Sequence, residues 1–319
     1  MLRLVSFLQK GNRNPQVGAL LEDGKQILDV GGELLRKKIS MQDLINHKSS
    51  SVFIQSIKER VQTKTYDSKK VFDTESVKVC APLIPHRNVF CIGKNYSDHI
   101  DEVNKSHAQR NAGGDNSNTP APVAVEGPKY PIWFTKAPEC VIGPHPDKIE
   151  SHKKLTKWLD YEVELAVIIG KKGRDIDPKN AMSHIFGYTV GNDVTARDIQ
   201  KRHVQWFKGK SLDSTCPLGP AIVPHSEFIE HGVDPGDIRV STHVNGELRQ
   251  DSTTSKLIFD IPTMISTLSA GFTLLPGDVI LTGTPEGVGF AMNPPQVLKR
   301  GDEVIVAVEH IGALRNLVK

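Results

Sequence analysis

The stretch Asp160-Tyr161-Glu162-Val163-Glu164-Leu165-Ala166-Val167-Ile168-Ile169-Gly170 is the most informative part of the chain. It is rich in β-branched and aromatic residues and ends on a glycine, so it reads as a strand. Side chains alternate between faces along a strand. Tyr161, Val163, Leu165, Val167 and Ile169 therefore share one apolar face, and Glu162, Glu164, Ala166 and Ile168 share the other. The run is apolar enough to be buried on both faces, which puts two carboxylates side by side in a poor dielectric. One of them should then be protonated unless a cation lies between them. A hard divalent ion with oxygen ligands is the natural solution. The plainer alternative is a strand end with two solvated glutamates.

Moving outward, Gly187-Tyr188-Thr189-Val190-Gly191 reads as an apolar strand, Asn192-Asp193 as a turn, and the residues after it as a helix. Asp193 at the strand end suits a third oxygen ligand, or simply a helix N-cap. Arg197 and Gln200 lie three apart on that helix and face the same side. Arg197 has the fork to grip a carboxylate bidentately. Lys210 lies between Gly209 and Ser211 and is either a solvated lysine or a cation that holds a developing oxyanion. The segment 275–290 predicts a strand that runs into a glycine-rich loop, where Gly283 lets the backbone approach a ligand and Thr284 can grip a carboxylate. That loop lacks the signature of a phosphate-binding loop and does not open a helix, which excludes a dinucleotide fingerprint. His99 and Glu102 are neighbours at i, i+3 on a short helix, as a surface pair or as an oriented base.

The remainder sets the frame. The chain has 319 residues, 38% hydrophobic and 24% charged, an ordinary globular composition for one large or two modest domains. Its 40 basic and 37 acidic side chains leave a net charge of only +3, which argues against a nucleic-acid or membrane-surface binder. No apolar run approaches the roughly 18 residues of a membrane span. Cys80, Cys91, Cys140 and Cys216 form no C-x-x-C pair and read as free, buried thiols of a reducing compartment. The opening Leu2-Arg3-Leu4-Val5-Ser6-Phe7 alternates like a strand rather than a targeting segment.

Residues 1–78 read as a small leading domain, with strands at 2–8, 16–21 and 26–30 and helices at 33–38, 41–47 (capped by Ser40) and 51–60. Pro82 and Pro85 mark a boundary, and 84–319 forms the larger domain. Within it 89–93, 132–135, 161–169, 187–190, 220–223, 239–244, 279–282 and 303–309 predict strands. Residues 178–185, 195–203 and 261–269 predict helices. Many strands with few helices and no βαβ rhythm favour an α+β fold with a β-sandwich or roll at its core. Residues 104–128, rich in Gly, Asn and Pro, read as a surface loop.

Taken in order, Gly93-Lys94-Asn95-Tyr96 with His99 and Glu102, the 160–170 strand, Gly191–Asp198, Gly209–Pro220 and Leu281–Gly289 resemble the fumarylacetoacetate hydrolase family. Within it the chain is most similar to a branch that carries such a leading domain and is described as oxaloacetate tautomerases. The resemblance implies a mixed β-roll, usually a homodimer. It implies Mg²⁺, or Mn²⁺ or Ca²⁺, on Glu162, Glu164 and Asp193, with Lys210 on a substrate oxygen. His99 and Glu102 become a mobile acid–base dyad, and Arg197, Gln200 and Thr284, with Gly283 beside it, anchor the substrate carboxylate. The substrate implied is a small 2-oxo acid, turned over by keto–enol tautomerisation. The alternatives are C–C hydrolysis of an acylpyruvate and decarboxylation of oxaloacetate, in the cytosol or the mitochondrial matrix. A third reading is a degenerate member that only binds a metal or an acid. The 104–128 link is longer than the family's usual one, where it belongs to a lid.

Overall fold

The structure is a computed structural model that describes residues 1–22, 24–102 and 127–319. Among these, one large sheet runs in hydrogen-bonded order through Val71–Asp73, Gln26–Asp29, Gln16–Leu20, Arg3–Leu8, Cys216–Pro224, Ile185–Asn192, Val163–Ile169, Val279–Leu281, Val89–Gly93 and Ile132–Lys136. A second sheet runs Glu247–Thr253, Arg239–Val244, Glu303–Val308, Gly312–Val318 and Lys148–Ile149. The two pack face to face, with helices at the margins, giving the expected α+β sandwich.

The alternation read from the 160–170 stretch holds. Tyr161, Val163, Leu165, Val167 and Ile169 all enter the core between the two sheets, with Val240, Val306 and Leu314 opposite. Ala166 and Ile168 enter a different core on the far side of the large sheet, shared with Leu4, Leu44 and Ile57 of the leading segment. All seven residues of Val163–Ile169 are buried. The strand is flanked antiparallel by Ile185–Asn192 and by Val279–Leu281. Both carboxylates thus leave an apolar strand at its N-terminal end, with no bulk water to solvate them.

Local chemistry explains most of the elements. Ser40 caps the helix Met41–Asn46 in a reciprocal capping box with Asp43. Leu275-Pro276-Gly277-Asp278 makes a turn closed by Asp278 N–H to Leu275 O at 3.0 Å, with Gly277 at φ +91. That turn launches Val279–Leu281, and Arg87 forks onto Asp278, tying it to the parallel strand Val89–Gly93. Asn245-Gly246, both at positive φ, joins Arg239–Val244 to Glu247–Thr253 as a two-residue hairpin. All four cysteines are free, with Cys91, Cys140 and Cys216 buried and Cys80 half-buried. Among the described residues no helix is long and apolar enough to cross a membrane. Of the 104–128 loop, residues 104–126 lie outside the described residues.

The leading segment adds its strands to the large sheet through Leu4 opposite Ile222. One buried carboxylate fastens that junction. Glu227, on the helix His225–Glu230, accepts from Leu2 N–H at 2.7 Å and lies 2.8 Å from Lys58 Nζ on the helix Ser50–Thr63. Burial pushes the Glu227 carboxyl up, but Lys58 and the Leu2 amide outweigh it, so its pKa lies below the ordinary value. Glu227→Ala is expected to cost on the order of 2 kcal/mol, because it leaves the Leu2 N–H without its acceptor and Lys58 with Glu230 as its one remaining carboxylate. A carboxyl depressed in the folded state stabilises above its unfolded pKa of about 4.3 and loses that contribution as pH falls through the folded value. Urea titrations should therefore show the gap between wild type and variant intact at pH 7 and closing below about pH 4.

Candidate metal centre and substrate pocket

Glu162, Glu164 and Asp193 converge. Each offers a carboxylate oxygen, and the three oxygens lie within 4.8 Å of one another, all from buried residues. The backbone locks this arrangement. Asp193 N–H donates to Glu162 O at 2.9 Å, and Glu162 N–H donates to Asn192 Oδ1 at 3.0 Å. The strand Ile185–Asn192 therefore ends where the glutamate strand begins, and Asp193 is turned back onto it.

The electrostatics suit a cation. Burial, and then the Asp193 and Glu162 charges, raise the Glu164 carboxyl well above the ordinary range. Burial acts the same way on Glu162, but the Arg197 guanidinium and the Lys210 ammonium more than reverse it and hold its pKa at about 2. The charged form of the His99 ring pulls Glu162 in the same direction, so the dyad is within electrostatic reach of the triad. Three buried carboxyls with oxygen-only donors match a hard divalent cation, and the raised Glu164 is the group such an ion would relieve.

Lys210 ends the one-turn helix Phe207–Lys210. Its Nζ bridges Glu162 Oε2 and Asp193 Oδ2 at 2.7 Å each. Gly209 permits this, since a Cβ there would lie 2.6 Å from Gln200 N of the facing helix Arg197–Arg202. Lys136, which the sequence reading did not single out, closes the set from the end of Ile132–Lys136. It is fully buried, with Nζ 2.7 Å from Asp193 Oδ1, 3.1 Å from Val194 O, and bonded to the Lys210 carbonyl. Burial works against its charge, but the Asp193 carboxylate and the other groups around it together outweigh burial, so the lysine stays protonated.

Arg197 is more committed than the sequence suggests. Its Nε bonds Asp160 Oδ2 at 3.0 Å and its Nη1 lies 2.6 Å from Glu162 Oε1. Nη2 is buried with no partner among the described residues, so one nitrogen of the fork is left for a ligand. Gln200 Oε1 approaches Nη1 at 3.5 Å. Asp160 also escaped the sequence reading. It is fully buried and also accepts from the backbone N–H groups of Tyr161, Gly289 and Phe290, tying the Arg197 clamp to the glycine-rich loop.

The remaining candidates line the same region. Gly283, at φ +98 with Asn95 too close for a Cβ, donates its N–H to Glu164 Oε2 at 2.6 Å. Its amide is thus spent on a carboxylate of the triad. Thr284 Oγ1 accepts from Gln250 Nε2 at 2.9 Å. His99 Nδ1 and Glu102 Oε2 are 3.5 Å apart on the helical turn 97–102, and Gly287 N–H holds Glu102 Oε1 at 2.9 Å. Asn95 sets that turn by bonding Phe259 N–H and O and Thr282 O.

Comparisons with known proteins agree with this fold. Residues 88–319 match the model of the fumarylacetoacetate (FAA) hydrolase C-terminal family. The chain is 45% identical over 249 residues to oxaloacetate tautomerase YisK of Bacillus subtilis, covering 78% of this chain and 75% of that protein. It is 35% identical over 319 residues to the mitochondrial oxaloacetate tautomerase fahd2 of Xenopus laevis, covering 99% and 90%. A solved fumarylacetoacetate hydrolase from Exiguobacterium antarcticum superposes with a TM-score of 0.77 at 41% identity, over 100% of this chain and 99% of that one. With a fold, a carboxylate triad and a family model that all coincide on 88–319, the chain belongs to the fumarylacetoacetate hydrolase family of enzymes.

Proposed function

We propose that this enzyme is a Mg²⁺-dependent oxaloacetate keto–enol tautomerase, with Glu162, Glu164 and Asp193 as the metal ligands. What carries the reading is the buried triad, with Lys210 between two of its members and the His99–Glu102 pair within electrostatic reach. The names of the Bacillus and Xenopus relatives support the substrate. Mn²⁺ or Ca²⁺ would fit the same oxygen donors.

When bound, the divalent cation would supply Lewis-acid stabilisation of negative charge on a 2-oxo acid. The chain supplies the rest. The Lys210 ammonium faces the oxygen at C2 and offsets the charge that develops there. Arg197 Nη2 and the Thr284 hydroxyl hold the carboxylate, and Gln200 steadies the Arg197 fork. His99 takes the proton from C3, and the proton returns to the C2 oxygen. Glu102 orients the imidazole and balances its positive charge. A C3–H bond breaks, its electron pair forms the C2=C3 double bond, and the C2 carbonyl π pair takes the proton as O–H, so no water is needed in the step. The working unit is a homodimer by family likeness.

The test is one purified sample assayed with Mg²⁺ and with chelator on oxaloacetate and acetylpyruvate in parallel. Fast Mg²⁺-dependent enol–keto equilibration, well ahead of any pyruvate release, is expected. Rapid acetate and pyruvate from acetylpyruvate would make the enzyme a C–C hydrolase. Pyruvate from oxaloacetate alone would make it a decarboxylase.

A further inference from the structure

Gln250 reaches from Glu247–Thr253 of the second sheet to the strand ends that carry the site, and it is buried at 1% exposure. Its amide is fully used. Oε1 accepts from Val163 N–H at 3.1 Å and from the Thr242 hydroxyl at 2.8 Å. Nε2 donates to Pro285 O and to Thr284 Oγ1, each at 2.9 Å. Two of these partners have no choice of role: the Val163 N–H can only donate and the Pro285 carbonyl can only accept. The backbone therefore fixes which end of the amide is nitrogen.

The consequence falls on Thr284. Its oxygen already receives a proton from Gln250, so its own proton is free for another acceptor. No acceptor among the described residues takes it. Both ends of this contact lie at the triad, since Val163 is flanked by Glu162 and Glu164 and Thr284 follows the glycine bonded to Glu164.

We infer that Gln250 is a positioning residue that fixes Thr284 as a hydrogen-bond donor to an anionic oxygen of the substrate. Without it the hydroxyl is free to turn and present lone pairs. With it the position favours a carboxylate and disfavours a neutral donor group. The inference rests on the proposed reading of Thr284 as a carboxylate contact.

Gln250→Glu tests the polarity. It is close in shape and keeps the acceptors for Val163 and Thr242, but it turns the bond to Thr284 around, so that the hydroxyl donates to residue 250. KM for oxaloacetate should rise about tenfold or more, the usual worth of a hydrogen bond to a charged group, with kcat much less affected. Thr284→Val should raise KM similarly, and the double variant should match Thr284→Val alone within about twofold. Gln250→Met, neutral and of similar volume, should fall between wild type and Gln250→Glu, and it serves if the charged variant fails to fold. Single effects that multiply in the double variant, or an unchanged KM in either Gln250 variant, would overturn the inference and leave Gln250 a brace between sheets. If the wild type does not turn over oxaloacetate, the proposed activity falls. Calorimetric binding of oxalate in the presence of Mg²⁺ then reads the same coupling. Shared loss of affinity in the single and double variants keeps the inference, and independent losses overturn it.

Discussion

Glu164→Gln is expected to remove Mg²⁺-dependent turnover while leaving the metal-free protein as stable as the wild type, or more so. The two halves of this result come from one cause. Burial and two like charges work against the Glu164 charge, so deleting it relieves the fold. The glutamine keeps a carbonyl oxygen to accept the Gly283 N–H, so the strand end is not disturbed. On the proposed ligand set, the same deletion would take one of three ligand oxygens from the cation. Lewis-acid stabilisation of several kcal/mol corresponds to about a 10³-fold loss in kcat. Thermal shift separates the effects. Wild type should gain about 2.7 kcal/mol of stability at a Mg²⁺ concentration a hundred times Kd, and the variant should gain almost none. Equal Mg²⁺ stabilisation in both would remove Glu164 from the ligand set.

His99→Ala is the second large effect. A positioned general base is worth about 10² to 10⁴ in rate, so kcat should fall by that factor, and kcat/KM with it. Metal binding should be unaffected, because His99 makes no contact with the triad oxygens among the described residues. Glu102→Gln is the sharper companion. It keeps an acceptor for the Gly287 N–H and so keeps the loop in place, while it removes the charge beside the imidazole. Rate loss in Glu102→Gln with an unchanged thermal midpoint assigns the effect to charge. Unchanged turnover in His99→Ala would take the dyad out of the mechanism.

Much of this was legible in the sequence because the deciding residues sit in regular elements. A strand with two glutamates on the face opposite Tyr161, Val163, Leu165, Val167 and Ile169 has one reading once it is buried, and the two cores divide along that alternation. The helix Ile261–Ser269 and the strand Arg239–Val244 match their expected spans because Asp260 and Asn245-Gly246 punctuate them. The strand after that hairpin, Glu247–Thr253, is missing from the sequence reading although Asn-Gly signals it, because its residues are mostly polar. Gly312–Val318 is missing for a related reason. Its inward positions are Leu314, Asn316 and Val318, and the buried asparagine, bonded to Gly143 O and Asp147 O, breaks the apolar period. Where a helix was expected at 33–38, the chain forms a single π-helical turn at Gly31–Leu35, with Arg36 N–H bonded to Gly31 O and Arg36 at φ 51 ending it.

The site shows the same division. The structure brings Glu162, Glu164 and Asp193 together as the strand alternation and the strand end suggest, whereas Lys136 and Asp160, whose partners come from distant segments, were not singled out. Lys136 ends an apolar strand as solvated lysines often do, and only the fold reveals Asp193 and two carbonyls around its ammonium. Asp160 reads in the sequence only as the start of the glutamate strand, and its role shows once four donors converge on it. Arg197 illustrates the converse. Its fork suggested a bidentate grip on substrate, but Asp160 and Glu162 claim Nε and Nη1 and leave Nη2. Spacing along the chain carries no information about which acid an arginine will meet.

The most direct test of the account is to count the ions. Titration of the metal-free protein with Mn²⁺, with free ion followed by electron paramagnetic resonance, should give one ion per chain, displaced by Mg²⁺. The Glu164→Gln/Asp193→Asn double variant should bind none. No binding to the wild type, or one ion per chain retained in the double variant, would contradict a metal centre at Glu162, Glu164 and Asp193.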